Sequence, residues 1–333
     1  MNSAAKVRPK VLVTREVFDD TLACLGEHCD VTANQDDVAL TPEALAGRLA
    51  DKEGIVCSLT DRIDAALIER CPKLRVVANI AVGYNNIDVA ACTARGIMAT
   101  NTPGVLDDST ADLAWTLMLG AARRITEVER YVRQGDWKGW RLKQWLGTDV
   151  HHATLGIVGM GRIGQAIARR ATGFEMRVLY HNRRRVAEDV ERRLNAVWAS
   201  LDELLRTADF VVLQVPYSQE THHLIGAAEL AKMKLTAILI NSTRGGVVDD
   251  ASLIDALTKG TIRAAGLDVF ENEPKLNRAF LALDNVVLAP HIGSSTEATR
   301  RAMAMTAARN AVAALTGVMP PNLVNPVVRT NHH

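Results

Sequence analysis

The sequence predicts an α/β protein built from two doubly wound parallel sheets. Short β-branched runs alternate with longer stretches of helical character along nearly the whole chain, the pattern of repeated strand–helix units. Thr-Asn-Thr-Pro-Gly at residues 100–104 interrupts this alternation and indicates a loop. The 333 residues, 48% of them hydrophobic, suffice for two cores. In the first part, the predicted strands and helices cover residues 10–14, 19–28, 53–58, 64–70 and 74–80.

A long helix is predicted over residues 109–134. Ser109 followed by Asp112 resembles a capping box at its start. Apolar side chains then fall on more than one face of this helix, so it is expected to be buried, either in a core or against a second subunit. We favour the subunit interface.

A second strand–helix series runs from residues 154–158 to 286–289, and a last helix follows at 295–315. Since the chain returns to a helix and a Pro-rich tail, we expect the first domain to be discontinuous and completed by the C-terminus. The predicted domains are residues 1–103 with 296–333, for substrate binding, and 104–295, for dinucleotide binding with the long helix 109–134 for dimerisation.

Composition narrows the class of protein. Lys and Arg (39) balance Asp and Glu (38), which gives no electrostatic case for nucleic acid or for an anionic membrane. Five cysteines without a C-x-x-C pair predict neither a disulfide framework nor a thiolate zinc site, and no metal is expected. The N-terminus is polar, and the apolar runs are too short to span a membrane. A cytoplasmic protein is therefore expected.

Residues 155–164, LGIVGMGRIG, combine a strand with a G-x-G-x-x-G turn and the start of a helix. This context indicates a dinucleotide-binding site, because the turn glycines let the backbone approach a pyrophosphate at the helix N-terminus. The predicted binding residues are Gly159, Gly161, Arg162, Ile163 and Gly164.

The next predicted strand is followed by His-Asn-Arg-Arg-Arg at residues 181–185. An acidic residue would be expected there for NAD, since a carboxylate binds the ribose 2′-hydroxyl. Guanidinium groups instead bind a 2′-phosphate, so Asn182, Arg183 and Arg184 predict a preference for NADPH, with NADH possible.

Three further predicted strands end in polar residues at the same edge of the second sheet. Reduction of a ketone needs a proton donor, and His291 suits that role because imidazole titrates near neutrality. Glu273 is the candidate carboxylate that would favour the imidazolium. Arg244 can hold a substrate carboxylate and polarise the keto oxygen. The hydride would come from the nicotinamide.

Five ordered motifs, spread over nearly the whole chain, resemble those of the D-isomer-specific 2-hydroxyacid dehydrogenases: residues 82–88, the glycine turn, 241–249, 266–274 and 290–294. Within that family, residues 147–164 are similar to bacterial glyoxylate/hydroxypyruvate reductases, also called 2-ketogluconate or 2-ketoaldonate reductases (gluconate 2-dehydrogenases). The resemblance implies a Rossmann dinucleotide-binding domain, a flavodoxin-like substrate domain, and reduction of small 2-keto acids.

The resemblance also implies roles for particular residues. It implies an Arg244–Glu273–His291 catalytic set and a substrate carboxylate held by the backbone N–H groups of Val82 and Gly83. Substrate contacts of Ser294 and, from a neighbouring subunit, Trp145 are implied as well. The implied cofactor groove further contains Val215, Pro216, Ser242, Thr243, Asp268 and Gly293. A homodimer and hinges near residues 100–105 and 292–297 complete the expectation.

Two alternatives stay open. Phosphite dehydrogenases belong to the same family and resemble residues 71–77 and 134–140, but they usually carry Lys before the glycine of the substrate loop, where this chain has Val82. Corepressors of the C-terminal-binding-protein type use the fold as a nucleotide-gated binding module. An intact Arg–Glu–His set argues against loss of catalysis and leaves a second role of this kind open. Asn85 also departs from the usual Asp of the substrate loop, which could alter substrate choice.

Overall fold

The computed structural model describes residues 7–328. The chain divides into two compact units. Unit 1 comprises the described residues of Met1–Leu106 and Thr296–His333, and unit 2 comprises Asp107–Ser295.

The elements alternate between strand and helix through both units. The strands are β1 (Lys10–Val13), β2 (Asp30–Ala33), β3 (Gly54–Cys57), β4 (Val76–Asn79), β5 (Met98–Thr100), β6 (Thr154–Val158), β7 (Arg177–His181), β8 (Ala196–Trp198), β9 (Phe210–Leu213), β10 (Ile238–Asn241), β11 (Ala264–Leu267) and β12 (Val286–Leu288). The α-helices are α1 (Asp19–Gly26), α2 (Pro42–Leu49), α3 (Ala65–Glu69), α4 (Val89–Ala94), α5 (Asp107–Ala122), α6 (Ile125–Arg133), α7 (Arg162–Ala171), α8 (Glu188–Leu194), α9 (Leu201–Thr207), α10 (Ala227–Leu230), α11 (Asp250–Lys259) and α12 (Glu297–Leu315).

Unit 1 contains a five-stranded parallel sheet in the order β2-β1-β3-β4-β5, a flavodoxin-like arrangement. Its central strands are buried on both faces, which explains why they read as unbroken apolar runs. One face packs against α12, whose Ala304, Ala307, Ala308 and Ala311 are buried in the same core as Val11 and Val76 of the sheet. The C-terminal helix is therefore a structural part of unit 1.

Unit 2 contains a seven-stranded parallel sheet in the order β12-β11-β10-β9-β6-β7-β8. The order reverses beside β6, as in a Rossmann fold, and ligands of such sheets bind at that point beyond the carboxyl ends of the strands. The predicted fold class, two doubly wound parallel-sheet domains, is confirmed. β2, β5 and β8, which were not predicted, are short strands at or next to a sheet edge.

The prediction of one helix over residues 109–134 is wrong, because the structure has two helices, α5 and α6. Arg124 adopts φ +56° between them and begins α6 with a bidentate ion pair to Glu127. The Ala122 carbonyl accepts a hydrogen bond from the Thr148 N–H at 2.8 Å, so a returning segment takes over one of the last carbonyls of α5. Ser109 lies inside the first turn, so the predicted capping box is wrong as well.

The apolar faces of α5 are buried within unit 2 itself. Trp115, Leu117 and Met118 belong to the core shared with β6 and β10, and the Trp115 indole N–H donates to the Ile167 carbonyl of α7 at 3.2 Å. The breadth of the apolar surface on α5 is therefore explained by its central place in the unit. All five cysteines are unpaired, and between residues 7 and 328 no helix has the length and apolar character needed to cross a membrane.

Candidate active site

The glycine turn between β6 and α7 is shaped by close backbone approaches. Gly159 has φ +109°, and a Cβ there would lie 2.4 Å from the Gln214 carbonyl oxygen. A Cβ on Gly164 would lie 2.2 Å from the Gly159 carbonyl oxygen, so the helix can pack on the strand only without one. A Cβ on Gly161 would meet no atom within 4 Å. The space beside Gly161, at the start of α7, is therefore open, which fits a pyrophosphate at the helix N-terminus.

The predicted cofactor residues beside this turn lie at the carboxyl edge of the sheet. Arg162 is exposed and Ile163 half-buried in the first turn of α7. Asn182 follows β7, and its side-chain oxygen accepts the Met160 N–H at 2.7 Å while its carbonyl accepts the Trp198 indole N–H at 3.2 Å. Asn182 therefore holds the shape of the glycine turn from the neighbouring strand.

The three arginines after Asn182 are not equivalent. Arg185 forms an ion pair with Glu191 at 2.9 Å, and Glu191 also accepts the Tyr180 hydroxyl at 2.6 Å. Hydrogen bonds from Arg185 and Tyr180 hold the pKa of Glu191 below its ordinary value. Arg183 and Arg184 are exposed at the end of the strand. These two side chains are therefore placed to meet an anion.

Further predicted groove residues follow β9 and β10, the strands beside β6. Val215 and Pro216 come after β9, whereas Ser242 and Thr243 are buried directly after β10. The Gln214 amide donates to the Ser242 hydroxyl at 2.9 Å, a link between the two strand ends that sequence analysis did not identify. The structure thus places these residues on the edge that carries the glycine turn.

The central pair of the candidate site is His291 with Glu273. The Nδ1 of His291 lies 2.8 Å from Oε2 of Glu273, and Oε1 of Glu273 accepts the Phe270 N–H at 2.8 Å. Burial opposes ionisation of Glu273, but the contact with His291, the Phe270 N–H and the charge of Arg244 together hold its pKa below the ordinary value. Because a carboxylate accepts, Nδ1 carries a proton, and Nε2 is left to exchange one.

Asp268 supports the backbone that carries His291. Its carboxylate accepts the Ile292 N–H at 2.7 Å and the Gly293 N–H at 2.9 Å, while its carbonyl accepts the His291 N–H at 2.8 Å. Burial raises the pKa of Asp268, against the lowering effect of the two N–H groups and of His291. Asp268 and Gly293 thus lie in one hydrogen-bonded turn with the histidine.

Arg244 follows β10 and is half-buried beside this pair. Its guanidinium donates to the Thr243 carbonyl at 2.7 Å, and its own carbonyl accepts the Asn241 amide at 3.2 Å. Burial lowers the pKa of Arg244, while the negative charge of Glu273 raises it. The structure therefore brings Arg244, Glu273 and His291 into one electrostatically coupled group.

The predicted substrate residues lie in both units. Val82 and Gly83 follow β4 in unit 1 and are half-buried. In unit 2, Ser294 comes three residues after His291 and is half-buried. Trp145 has φ +58° and contacts Tyr131, with ring centroids 5.0 Å apart. Its predicted contact with a neighbouring subunit stays a prediction.

A second His–carboxylate pair was missed by sequence analysis. His222 and His223 were interpreted as surface or packing residues, but Nε2 of His223 lies 2.5 Å from Oε1 of Glu271. The Glu271 N–H donates to the buried carboxylate of Asp250 at 3.1 Å, and the His223 N–H donates to the Gly246 carbonyl at 2.7 Å. The pair therefore links the loops that carry Arg244 and Glu273.

Acid–base chemistry fits these residues. Among residues 7–328, no group of three His, Cys, Asp or Glu side chains is arranged to hold a metal ion. A Rossmann sheet with a glycine cradle, and a His–Glu pair with an arginine at the same edge, define an oxidoreductase that uses a nicotinamide dinucleotide.

Comparisons with known proteins give the family. The sequence model described as D-isomer specific 2-hydroxyacid dehydrogenase, NAD binding domain, matches residues 115–293. The chain belongs to the D-isomer-specific 2-hydroxyacid dehydrogenases. It is 49% identical over 323 residues to the glyoxylate reductase of Thermococcus onnurineus and 50% identical over 323 residues to that of Pyrococcus horikoshii, in each case covering 96% of both chains.

A solved structure agrees with this assignment. The NADPH-dependent glyoxylate/hydroxypyruvate reductase of Sinorhizobium meliloti, in complex with NADP and malonate, is 33% identical to this chain, with a TM-score of 0.86. The match covers 96% of this chain and 98% of that one. The resemblance found in the sequence motifs is confirmed.

Proposed function

We propose that the protein is an NADPH-preferring reductase of small 2-keto acids, glyoxylate, hydroxypyruvate and 2-ketogluconate among them, which yields D-2-hydroxy acids. The single observation that carries this proposal is the 2.8 Å contact between His291 Nδ1 and Glu273 Oε2, with the second Glu273 oxygen tied to backbone. Similarity to glyoxylate reductases over 96% of the chain supports the substrate class.

A bound nicotinamide would supply the hydride. His291 protonates the keto oxygen through Nε2 as negative charge develops on it, since Nδ1 is engaged with Glu273. Glu273 favours the imidazolium and fixes the ring plane. Arg244 holds the substrate carboxylate and polarises the carbonyl, and half-burial strengthens both interactions. The backbone N–H groups of Val82 and Gly83 are further proposed partners of the substrate carboxylate.

The proposed preference for NADPH is supported by the different environments of the three arginines after Asn182. The carboxylate of Glu191 is neutralised by its ion pair with Arg185 and also accepts the hydroxyl of Tyr180 in β7. A 2′-phosphate would then meet the exposed Arg183 and Arg184 in charge-assisted contacts. NADH lacks this phosphate and would gain nothing from either side chain.

The test is oxidation of NADPH and NADH, followed by nicotinamide absorbance, with the three keto acids in parallel. Turnover with NADPH well above NADH is expected. Reduction of NADP by phosphite in place of keto-acid turnover would assign the enzyme to the phosphite dehydrogenases. Nucleotide binding without any turnover would favour the corepressor-like binding module.

Cofactor preference has its own test. Arg183→Ala combined with Arg184→Ala should raise the KM for NADPH by about 10–100-fold and spare NADH, since a charge-assisted hydrogen bond contributes roughly 1.5–3 kcal/mol. Arg192→Ala, an exposed arginine on α8, is the matched control and should change neither KM. Equal losses for both cofactors would contradict the 2′-phosphate assignment.

A homodimer and the absence of nucleic-acid partners belong to the same proposal. Large apolar side chains are exposed on α6 and the segment after it, among them Ile125, Val132, Trp137, Trp140 and Leu142. Several large apolar side chains exposed within one short stretch of the chain are typical of an interface. Trp140→Glu should shift the mass measured by light scattering from dimer to monomer, whereas Leu235→Glu, equally exposed elsewhere in unit 2, should not. An unchanged mass in Trp140→Glu would refute this interface.

A further inference from the structure

The backbone after β4 presents two N–H groups with no internal partner. Within the described chain, neither the Val82 N–H nor the Gly83 N–H donates a hydrogen bond to another protein group. The carbonyl groups beside them are all engaged. Because the carbonyls are hydrogen-bonded and the two N–H groups are not, the segment has donors available for an anion.

The engaged carbonyls are held by the segment that follows β5. The Thr102 N–H donates to the Ala81 carbonyl at 3.0 Å, and the Asn101 side-chain amide donates to the Val82 carbonyl at 2.9 Å. A third contact comes from β4, where the Asn79 amide donates to the Gly83 carbonyl at 3.0 Å.

Because the peptide group is planar, these contacts also fix the direction of the Val82 and Gly83 N–H groups. In a trans peptide the C=O of one residue and the N–H of the next point in opposite directions. The bond from Asn101 to the Val82 carbonyl therefore directs the Gly83 N–H away from the β5 side. The bond from Thr102 to the Ala81 carbonyl directs the Val82 N–H in the same way. One short segment thus aims both donors.

The aiming segment is itself held by the C-terminal part of unit 1. Asn310, fully buried in α12, donates to the Asn101 carbonyl at 3.1 Å. The Asn101 N–H donates to the Asn322 carbonyl at 3.2 Å, and the Asn322 amide donates to the Asn310 side-chain oxygen at 3.2 Å. A buried asparagine in a helix needs such partners, so the network fixes Asn101 in one position.

We propose that Asn101 is a positioning residue for carboxylate binding: it holds the peptide plane whose Gly83 N–H receives the substrate carboxylate. This inference rests on the proposed function, because it takes the carboxylate of a keto acid as the anion on Val82 and Gly83. Asn101 does not touch the substrate and acts through the Val82 carbonyl.

The test uses oxalate, a small carboxylate that needs no turnover, and calorimetry on the complex with NADPH. Asn101→Leu keeps the branched shape and removes the donor. It should raise the Kd for oxalate and the KM for glyoxylate by roughly 10–100-fold, with kcat changed by less than about threefold and the Kd for NADPH unchanged. Asn101→Ser, shorter and still polar, should show the same loss if Leu disturbs folding.

Asn34→Leu is the matched control. Asn34 is buried in unit 1 and donates to the Thr14 and Val38 carbonyls at 3.0 and 2.8 Å, beyond the edge strand β2. This variant should lose stability without losing affinity for oxalate. Unchanged oxalate affinity in both Asn101 variants, an equal loss in Asn34→Leu, or no oxalate binding by the wild type would each overturn the proposal.

The two hypotheses fail separately. If the wild type binds oxalate in an Asn101-dependent manner but reduces no keto acid, the proposed activity is wrong and the positioning role stands. If keto acids are reduced and Asn101 does not matter for oxalate, the activity stands and the positioning role is wrong.

Discussion

The buried carboxyl group of Asp250 should make the protein less stable as the pH rises. Asp250 is 6% exposed at the start of α11 and accepts the Glu271 N–H. Burial raises its pKa from 3.8 to about 6; the Glu271 N–H and His223 oppose the rise, and the charges of Glu271 and Asp249 add to it. Asp250→Asn removes the ionisation and keeps a side-chain oxygen to accept that N–H.

The sign and size of the change in the free energy of unfolding follow from proton linkage. Between about pH 4 and pH 6 the native state holds a proton that the unfolded state has lost, so the free energy of unfolding falls as the pH rises and is level above that range. A pKa difference of this size corresponds to roughly 3 kcal/mol at pH 7.5 and about 1.5 kcal/mol at pH 5. Asp250→Asn should therefore be stabilising, by more at pH 7.5 than at pH 5.

Urea unfolding at the two pH values measures this difference. The control is Asp255→Asn on the same helix, where an exposed carboxylate pairs with Lys259 at 2.8 Å and the change should stay within about 0.5 kcal/mol. The difference between the two pH values is the decisive quantity, because effects of the amide that do not depend on ionisation are common to both conditions. Equal effects of Asp250→Asn at pH 5 and pH 7.5 would refute a raised pKa.

Three further predictions concern the site. Glu273→Gln removes the anion that favours protonated His291, so the alkaline fall of kcat/KM for reduction should move to lower pH; an unchanged pH profile would reject the pairing. Gly159→Ala should weaken NADPH binding at least about tenfold in a fluorescence titration, whereas Gly173→Ala, with no atom within 4 Å of its Cβ, should not. Asp268→Asn should lower kcat by roughly 10–100-fold, because an NH2 group would replace one of the two carboxylate oxygens that accept the Ile292 and Gly293 N–H groups; wild-type turnover would contradict this role.

Parallel strands made most of the fold and site predictable. β3 and β4 are buried along their whole length, so each reads as an apolar run, and their bounds differ from prediction by one or two residues. The glycine turn was predictable because steric limits at Gly159 and Gly164 are local. Since parallel strands end at one edge, polar residues after them meet there.

The features that were missed depend on contacts between distant parts of the chain. The helix breaks at Arg124, where the Thr148 N–H donates to the nearby Ala122 carbonyl. The helical pattern of residues 109–134 does not predict this break. The His223–Glu271 pair joins residues 48 positions apart, and Asn101 meets Asn310 across 209 positions. Single-sequence patterns report local periodicity, so these pairings become visible only once the strands are ordered.

Several candidate ligand-binding groups are held in position by hydrogen bonds before a ligand binds. At three of them, the atoms that do not face a ligand are already bonded: the carbonyls beside the Val82 and Gly83 N–H groups, and Nδ1 of His291. When the neighbouring atoms are already hydrogen-bonded, a binding group loses little conformational freedom on ligand binding. Its dipole also need not reorganise as charge develops on the substrate. Buried polar networks of this kind stabilise only when every member is satisfied. Catalysis should therefore be most sensitive to the bonds behind the binding groups, and mutations there should change substrate affinity or the pH profile before they change the fold.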